Sequence, residues 1–386
     1  MVRRNRAREA GGQIMGGGGT IGTDLGLVMP AIVGFSLSLI TCVMLVLTQR
    51  WHGSVTHDDH SGPQKFHVDP TPRIGGAAIA VGYLGTWVVL PEHLREIWWA
   101  IGLAGLAPLG AGLVEDLTRK AGVKVRLAAT MGGGLIFAIL SGYLMDRVDL
   151  WGMDWLLTFP VFAYFFTAFA MGGVANAINI IDGFNGLASG AMIIMFGAFA
   201  WVAHQVGDEL VFGLALLFGA LVLGFFVVNF PMGRIFLGDG GAYFAGFLLA
   251  ALGVLLPARN VEISAWTAIL ICGYPVIETL ASMLRKSRRE GHSVGQPDRV
   301  HFHMLAHRRY ARRIVRQPGR KKLRNPVTAL VTWAMPVMTT LFVMISYESA
   351  ILSAAFFFLT AFLYDQIYKV MSLNGGRLKL GLARLL

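Results

Sequence analysis

The feature that most constrains this chain is the recurrence of long, sparsely charged apolar runs. Eleven stretches of roughly the length that crosses bilayer hydrocarbon as a helix occupy 25–47, 74–92, 97–114, 123–144, 156–178, 187–204, 210–229, 241–257, 264–284, 326–346 and 349–368. Lipid offers backbone groups no partner, so each run must be helical. The expected fold is therefore all-α, a polytopic membrane bundle of about eleven transmembrane helices. The third and fourth runs are cut short by polar residues. Charged residues make up 14% of the chain and hydrophobic ones 55%. A soluble domain carries about 25% charge, so a soluble fold, a coiled coil and a disordered chain are excluded. Cys42 and Cys272 both lie inside apolar runs, which rules out a disulfide framework or a cysteine metal site. The net charge of +11 comes with no nucleic-acid recognition motif, so no nucleic-acid partner is expected.

Loop charge sets the orientation. If the first helix enters from outside, the outer loops hold only Arg95, Arg147 and Arg259. Arg3, Arg4, Arg6 and Arg8 sit in the N-terminal tail, and the other 26 of the 33 Lys and Arg fall inside. Positive-inside counting thus expects the N-terminus out and the C-terminus in. The chain divides into a Gly-rich tail (1–24), a membrane domain (25–370) and a cytoplasmic C-terminal tail (371–386). The long polar stretch 285–325 forms the main inner loop.

Out-of-place polar residues gather at the inner ends of the runs, in four clusters. Residues 65–76 carry Lys65 and Arg73, either phosphate contacts or an ordinary positive-inside flank, with prolines and Gly75-Gly76 permitting close backbone approach. Glu115 and Asp116 follow an apolar run; they repel each other unless a cation or proton intervenes, or they are a solvated pair balanced by Arg119 and Lys120. Asn176, Asn179, Asp182 and Asn185 recur every three positions, a polar stripe at a helix C-terminus. Such a stripe inside a membrane helix points to function, the alternative being hydrogen bonds between helices. Residues 229–241 run from Asn229 through Phe236 to Gly238-Asp239-Gly240-Gly241, a Gly-rich turn into a helix start. Free N–H groups there suit phosphate, and Asp239 suits magnesium.

The inner loop adds Asp298, Arg299, His301, His303 and His307, then an Arg-rich segment that suits anionic lipid heads or an anionic substrate. His57-Asp58-Asp59-His60 reads as a solvated loop, since no partner ligands accompany it.

Taken together, and in this order, these motifs resemble the polyprenyl-phosphate N-acetylhexosamine-1-phosphate transferases, glycosyltransferase family 4. These membrane enzymes start O-antigen, lipopolysaccharide, teichoic acid and related cell-surface glycans. The resemblance covers about 65–303, and the helix layout extends it over nearly the whole chain. It implies transfer of N-acetylhexosamine-1-phosphate from a UDP-sugar, such as UDP-N-acetylglucosamine, to undecaprenyl phosphate, with UMP released. It further implies a bacterial cytoplasmic membrane location, an active site on the cytoplasmic face, and Mg2+ as cofactor, with Mn2+ as a substitute. A homodimer is compatible with the Gly-rich helices.

The resemblance also implies roles. Asp239 would be a magnesium ligand. Asp116, beside Glu115, would be a base or metal partner near the lipid phosphate. Asp182, Asn179 and Asn229 would bind or orient the nucleotide sugar, and Phe236 would lie near the uracil. Lys65, Arg73, Asn185, Arg299, His301 and His303 complete the expected substrate contacts. The chain departs from the family pattern at Glu115 and Asn185, where Asp is usual, and at Met304, where a final histidine is expected. The Pro297-Asp298-Arg299 form of the loop resembles the branch using simple UDP-N-acetylhexosamines rather than the muramoyl-pentapeptide transferase. A transporter, the rival from another class, would instead place polar residues near mid-membrane and interrupt paired helices in two halves. A membrane scaffold would leave the acidic motifs unexplained.

Overall fold

The computed structural model describes residues 20–56, 71–287 and 300–372. Its regular elements are helices. In chain order they are α1 (Thr20–Leu47), α2 (Gln49–Thr56), α3 (Gly75–Thr86), α4 (Glu92–Thr118), α5 (Val123–Ser141), α6 (Trp151–Leu157), α7 (Pro160–Ile181) and α8 (Leu187–Gln205). There follow α9 (Glu209–Asn229), α10 (Gly238–Arg259), α11 (Ala265–Ile271), α12 (Gly273–Ser287), α13 (Phe302–Ala306), α14 (Arg324–Thr332), α15 (Ala334–Ser346) and α16 (Ala350–Ser372).

Among the described residues, nine helices are long and apolar enough to cross a membrane. A shorter apolar helix covers Gly75–Val89, and α11 with α12 forms an apolar pair bent by 82°. These elements fall on the eleven apolar runs, so the multi-pass bundle expected from sequence is the fold observed. The straight span expected over 264–284 is corrected: it is broken at Cys272. Pro275 explains the break, because its ring clashes with the carbonyl four residues back, at Ile271. The run 74–92 also ends early. Leu90, just before Pro91, is extended, and α4 restarts at Glu92.

The bundle is organised around α10. Nearly all of this helix is buried, packed by α3, α4, α7, α8, α9 and α11. At its N-terminal end three backbones meet with no room for side chains. A Cβ on Gly112 would lie 2.4 Å from the Gly240 nitrogen, and one on Gly76 would lie 2.2 Å from that of Gly241. Small residues thus let α3, α4 and α10 touch where lipid supplies no hydrophobic drive. The starts of α3, α5 and α10 and the ends of α4, α7 and α9 gather at this one end. At the opposite end, Asp208 accepts from Arg259 Nε (2.8 Å) and Asn260 Nδ2 (2.9 Å), tying the loops there.

Candidate active site

The segment before α3 is extended, as a chain alternating with proline must be. It pairs edge-on with the turn before α10. Phe236 N–H donates to Pro72 O (2.8 Å), Gly75 N–H to Phe236 O (2.9 Å) and Gly76 N–H to Leu237 O (3.0 Å). This pairing parks Arg73 beside the start of α10. Gly238 makes the turn with φ +73°, and a Cβ there would lie 2.2 Å from Arg73 O and 2.6 Å from Asp116 Oδ2. Both the left-handed backbone and the contact therefore require glycine.

Asp116, in the last turn of α4, has a fully buried carboxylate. Its Oδ1 accepts from the Asp239 N–H (2.9 Å) and its Oδ2 from the Gly240 N–H (2.8 Å). A helix start leaves its first N–H groups without intrahelical partners, and here a second helix caps them. The sequence expectation of free N–H groups for phosphate is therefore corrected for Asp239 and Gly240. Arg73 Nη2 lies 3.2 Å from Asp116 Oδ1 and 3.6 Å from Asp239 Oδ1. Asp239 Oδ1 also accepts from Asn179 Nδ2 (3.1 Å), and its other oxygen, Oδ2, accepts from Arg126 Nη1. The Arg126 guanidinium also sits 5.9 Å from the Tyr243 ring centroid.

Asp182 follows the last residue of α7 and is half-buried. Burial pushes its carboxyl up to about 7; Arg73 pulls it back and the Asp116 charge adds to the rise. Glu115, adjacent to Asp116, holds Oε2 buried without a hydrogen-bond partner. Arg73, Glu115, Asp116, Asn179, Asp182 and Asp239 are thus drawn to one end of the bundle from α4, α7, α10 and the segment before α3.

The remaining expected residues take other places. Asn229 accepts from Gly186 N–H (2.6 Å) and donates to Ile235 O (2.6 Å), so its amide clamps two site loops together. Asn185 adds a second tie, Nδ2 to Pro231 O at 3.3 Å. Asn176 joins α7 to α5 through Thr130 Oγ1 (2.9 Å), which is the interhelical alternative for that position. Phe236 is held by its backbone beside Pro72. His303 stands against the Asp182 loop: its ring meets Phe184 edge-on at 5.7 Å, and its Nε2 is 2.8 Å from where a Gly183 Cβ would be. His301 stacks on His303 at 5.4 Å. Lys65, Arg299 and the 57–60 cluster lie outside the described residues.

Two charged residues escaped the sequence reading. Arg126 sits in the first turn of α5, where the helix dipole disfavours a cation; that misfit was the available signal. Glu278 is a lone carboxylate inside an apolar run, and it is fully buried.

The profile of glycosyl transferase family 4 matches residues 98–256, the stretch that carries α4 through α10 and most of this site. This stretch of the chain is similar to that family. A relative in Bacillus subtilis (strain 168), named "Probable undecaprenyl-phosphate N-acetylglucosaminyl 1-phosphate transferase", is 27% identical over 274 residues, covering 70% of this chain and 76% of the relative. The undecaprenyl-phosphate alpha-N-acetylglucosaminyl 1-phosphate transferase of Escherichia coli (strain K12) is 25% identical over 293 residues, 74% of this chain and 76% of its own. The decaprenyl-phosphate N-acetylglucosaminephosphotransferase of Mycobacterium leprae (strain TN) is 26% identical over 307 residues, 71% of this chain and 75% of its own. Arg73, His301 and His303 join the site from outside the matched stretch.

Proposed function

We propose that this chain transfers N-acetylhexosamine-1-phosphate, with N-acetylglucosamine the first candidate sugar, from a UDP-sugar to a polyprenyl phosphate. The observation that carries the reading is the convergence of Asp116 and Asp239 with Arg73, Arg126 and Asn179 at one end of a membrane bundle. The names of the relatives support both the lipid and the sugar. The lipid phosphate oxygen attacks the sugar-bearing β-phosphorus. The bond from that phosphorus to the oxygen bridging to UMP breaks, and UMP leaves with the electron pair. A phosphate monoester is largely dianionic near pH 7, so the attack needs no strong base. Arg73 and Arg126 offset the repulsion between two anions and fix their orientation.

Arg73 and Arg126 pair with Asp116 and Asp239 at an end of the bundle that also holds Glu115 and Asp182, an excess of carboxylate that a diphosphate would avoid unaided. The unpartnered Glu115 Oε2 points the same way. No group of three or more His, Cys, Asp or Glu able to hold a metal is assembled among the described residues. Magnesium suits such a site, because it needs one or two carboxylates plus substrate phosphates rather than a protein cage. Asp239 is the residue that would hold it, with Glu115 and Asp116 adjacent. Bound there, the ion would supply charge neutralisation at the diphosphate.

In the orientation we propose, N-terminus out and C-terminus in, this end faces the cytoplasm of a bacterial inner membrane, where UDP-sugars are made. A transporter would show interrupted helices in both halves, whereas the described residues show one bent pair. The test is purified protein with polyprenyl phosphate, magnesium and a panel of UDP-sugars, following UMP release. Lipid- and metal-dependent UMP release is expected with at least one N-acetylhexosamine donor; none with any donor overturns the reading.

A further inference from the structure

A carboxylate enclosed in a membrane helix is costly, and a hydrophobic residue of similar volume would often be at least as stable. Glu278, in α12, is such a carboxylate, with no exposed surface. It is satisfied by four donors from three parts of the chain. Oε1 accepts from His301 Nδ1 (2.8 Å) and Arg285 Nη2 (3.2 Å). Oε2 accepts from the Phe302 N–H (3.0 Å) and the Tyr364 hydroxyl of α16 (2.7 Å). The same loop is gripped from α16 a second time, by Tyr368 Oη donating to Val300 O (3.0 Å). Phe302 stacks on Tyr364 at 5.0 Å. What this arrangement fixes is the stretch 300–303, and with it the two histidine rings. The His301 ring, held through Nδ1, lies nearly parallel to His303 (13° between planes), and His303 rests on Gly183 and Phe184 beside Asp182.

We infer that Glu278 is a positioning residue for nucleotide-sugar binding, acting through His301 to hold the 301–303 loop against the Asp182 loop. It touches no reacting atom. The lost return on packing is matched by orientation: one carboxylate sets the His301 ring, the α13 backbone start and the α12–α16 spacing together. The inference rests on the proposed function and on the expectation, from the sequence, that His301 and His303 contact the UDP-sugar.

The test uses the full chain with UDP-N-acetylglucosamine and polyprenyl phosphate, comparing Glu278→Gln, His301→Ala and the double variant. Glu278→Gln keeps an acceptor but loses the charge-assisted bonds. We expect its KM for the UDP-sugar to rise about tenfold, the scale of one such bond, with the KM for lipid within about twofold. Because Glu278 acts largely through His301, adding Glu278→Gln to His301→Ala should cost clearly less than the product of the two single effects. Equal rises in both KM values, a fall in kcat alone, or fully multiplicative effects would each overturn the assignment. If the Gln variant fails to fold, Glu278→Asp keeps the charge opposite Arg285 and withdraws the carboxylate by one methylene. The same selective rise, smaller, is then expected, and an unchanged KM would overturn the inference. A wild-type chain that turns over no UDP-sugar overturns the proposed function and this inference together; an active wild type with any of the adverse variant results overturns only the role of Glu278.

Discussion

Asp116→Asn is the perturbation that most directly probes the site. The substitution keeps shape and removes charge, but it turns one of two acceptor oxygens into a donor. Both wild-type oxygens accept from backbone N–H groups, at 2.9 and 2.8 Å. With Asn, one N–H at the start of α10 faces an NH2 group. A hydrogen bond to a charged group is worth about 1.5–3 kcal/mol, and an unsatisfied buried donor costs a similar amount. Arg73 also loses its nearer partner and keeps Asp239 at 3.6 Å. The first turn of α10 carries Asp239, so any shift there moves the carboxylate that Arg126 and Asn179 also hold. A displacement of about 1 Å at a reacting centre costs roughly a hundredfold in rate. We therefore expect UMP release to fall about a hundredfold, a higher magnesium concentration for half-maximal rate, and a lower melting temperature in detergent. Wild-type turnover and melting in Asp116→Asn would refute the reasoning. A slow variant with unchanged melting and a lost acid limb of the pH–rate profile would instead make Asp116 a proton acceptor.

Further expectations follow from the same geometry. Arg126→Gln removes the charge paired with Asp239, and should raise the KM for UDP-sugar about tenfold or more, with Arg126→Lys restoring only part because a point charge lacks the guanidinium fork; wild-type kinetics in Arg126→Gln would count against its role. Gly238→Ala meets both a φ of +73° and a contact of 2.2 Å to Arg73 O, so activity and thermal stability should both drop sharply, and a stable, active variant would show that this turn relaxes freely. His307, buried against Phe184 and near Arg312, Arg324 and Arg308, has its imidazole pushed down to about 4, by burial first and then by those cations. An unfolded histidine near 6.5 binds the proton first, so stability is full above about 6.5, falls as pH drops toward 4, and loses at most about 3 kcal/mol. His307→Phe should weaken the fall in melting temperature between pH 7.5 and 5, and an identical fall in the variant would refute this.

Much of the fold was legible because lipid is an unforgiving solvent: an apolar run of sufficient length leaves the backbone one choice. What sequence could not give was the break at Cys272: Pro275 lies mid-way along the run 264–284, but Pro30, Pro108 and Pro257 sit inside helices that continue unbroken. The site was legible as a set of motifs, and the structure brings Asp116, Asn179, Asp182 and Asp239 to one end from distant parts of the chain. Their division of labour was not legible. Asn229 and Asn185 look alike in sequence to Asn179, yet they tie loops while Asn179 reaches Asp239. Spacing reports which helix end a residue occupies, not which neighbour its amide meets. Arg126 and Glu278 were missed because each stands alone, without a motif to mark it.

The capping of α10 by Asp116 decides how this site can hold phosphate. A Gly-rich turn into a helix commonly binds anions through free N–H groups. Here the Asp239 and Gly240 donors are engaged by a buried carboxylate, and a negative charge occupies the position that a phosphate would take. Recognition of the diphosphate must then fall on side chains, with Arg73 and Arg126 set on two sides of Asp239. Both guanidiniums are paired with carboxylates. In the proposed reaction a divalent cation would be held by carboxylate while the guanidiniums would hold phosphate, with no charge left unpaired. That exchange ties metal and nucleotide binding together: each should tighten the other by the same factor. Titrating UDP-sugar at low and saturating magnesium measures that factor, and independent binding would show that the arginines do not make the exchange.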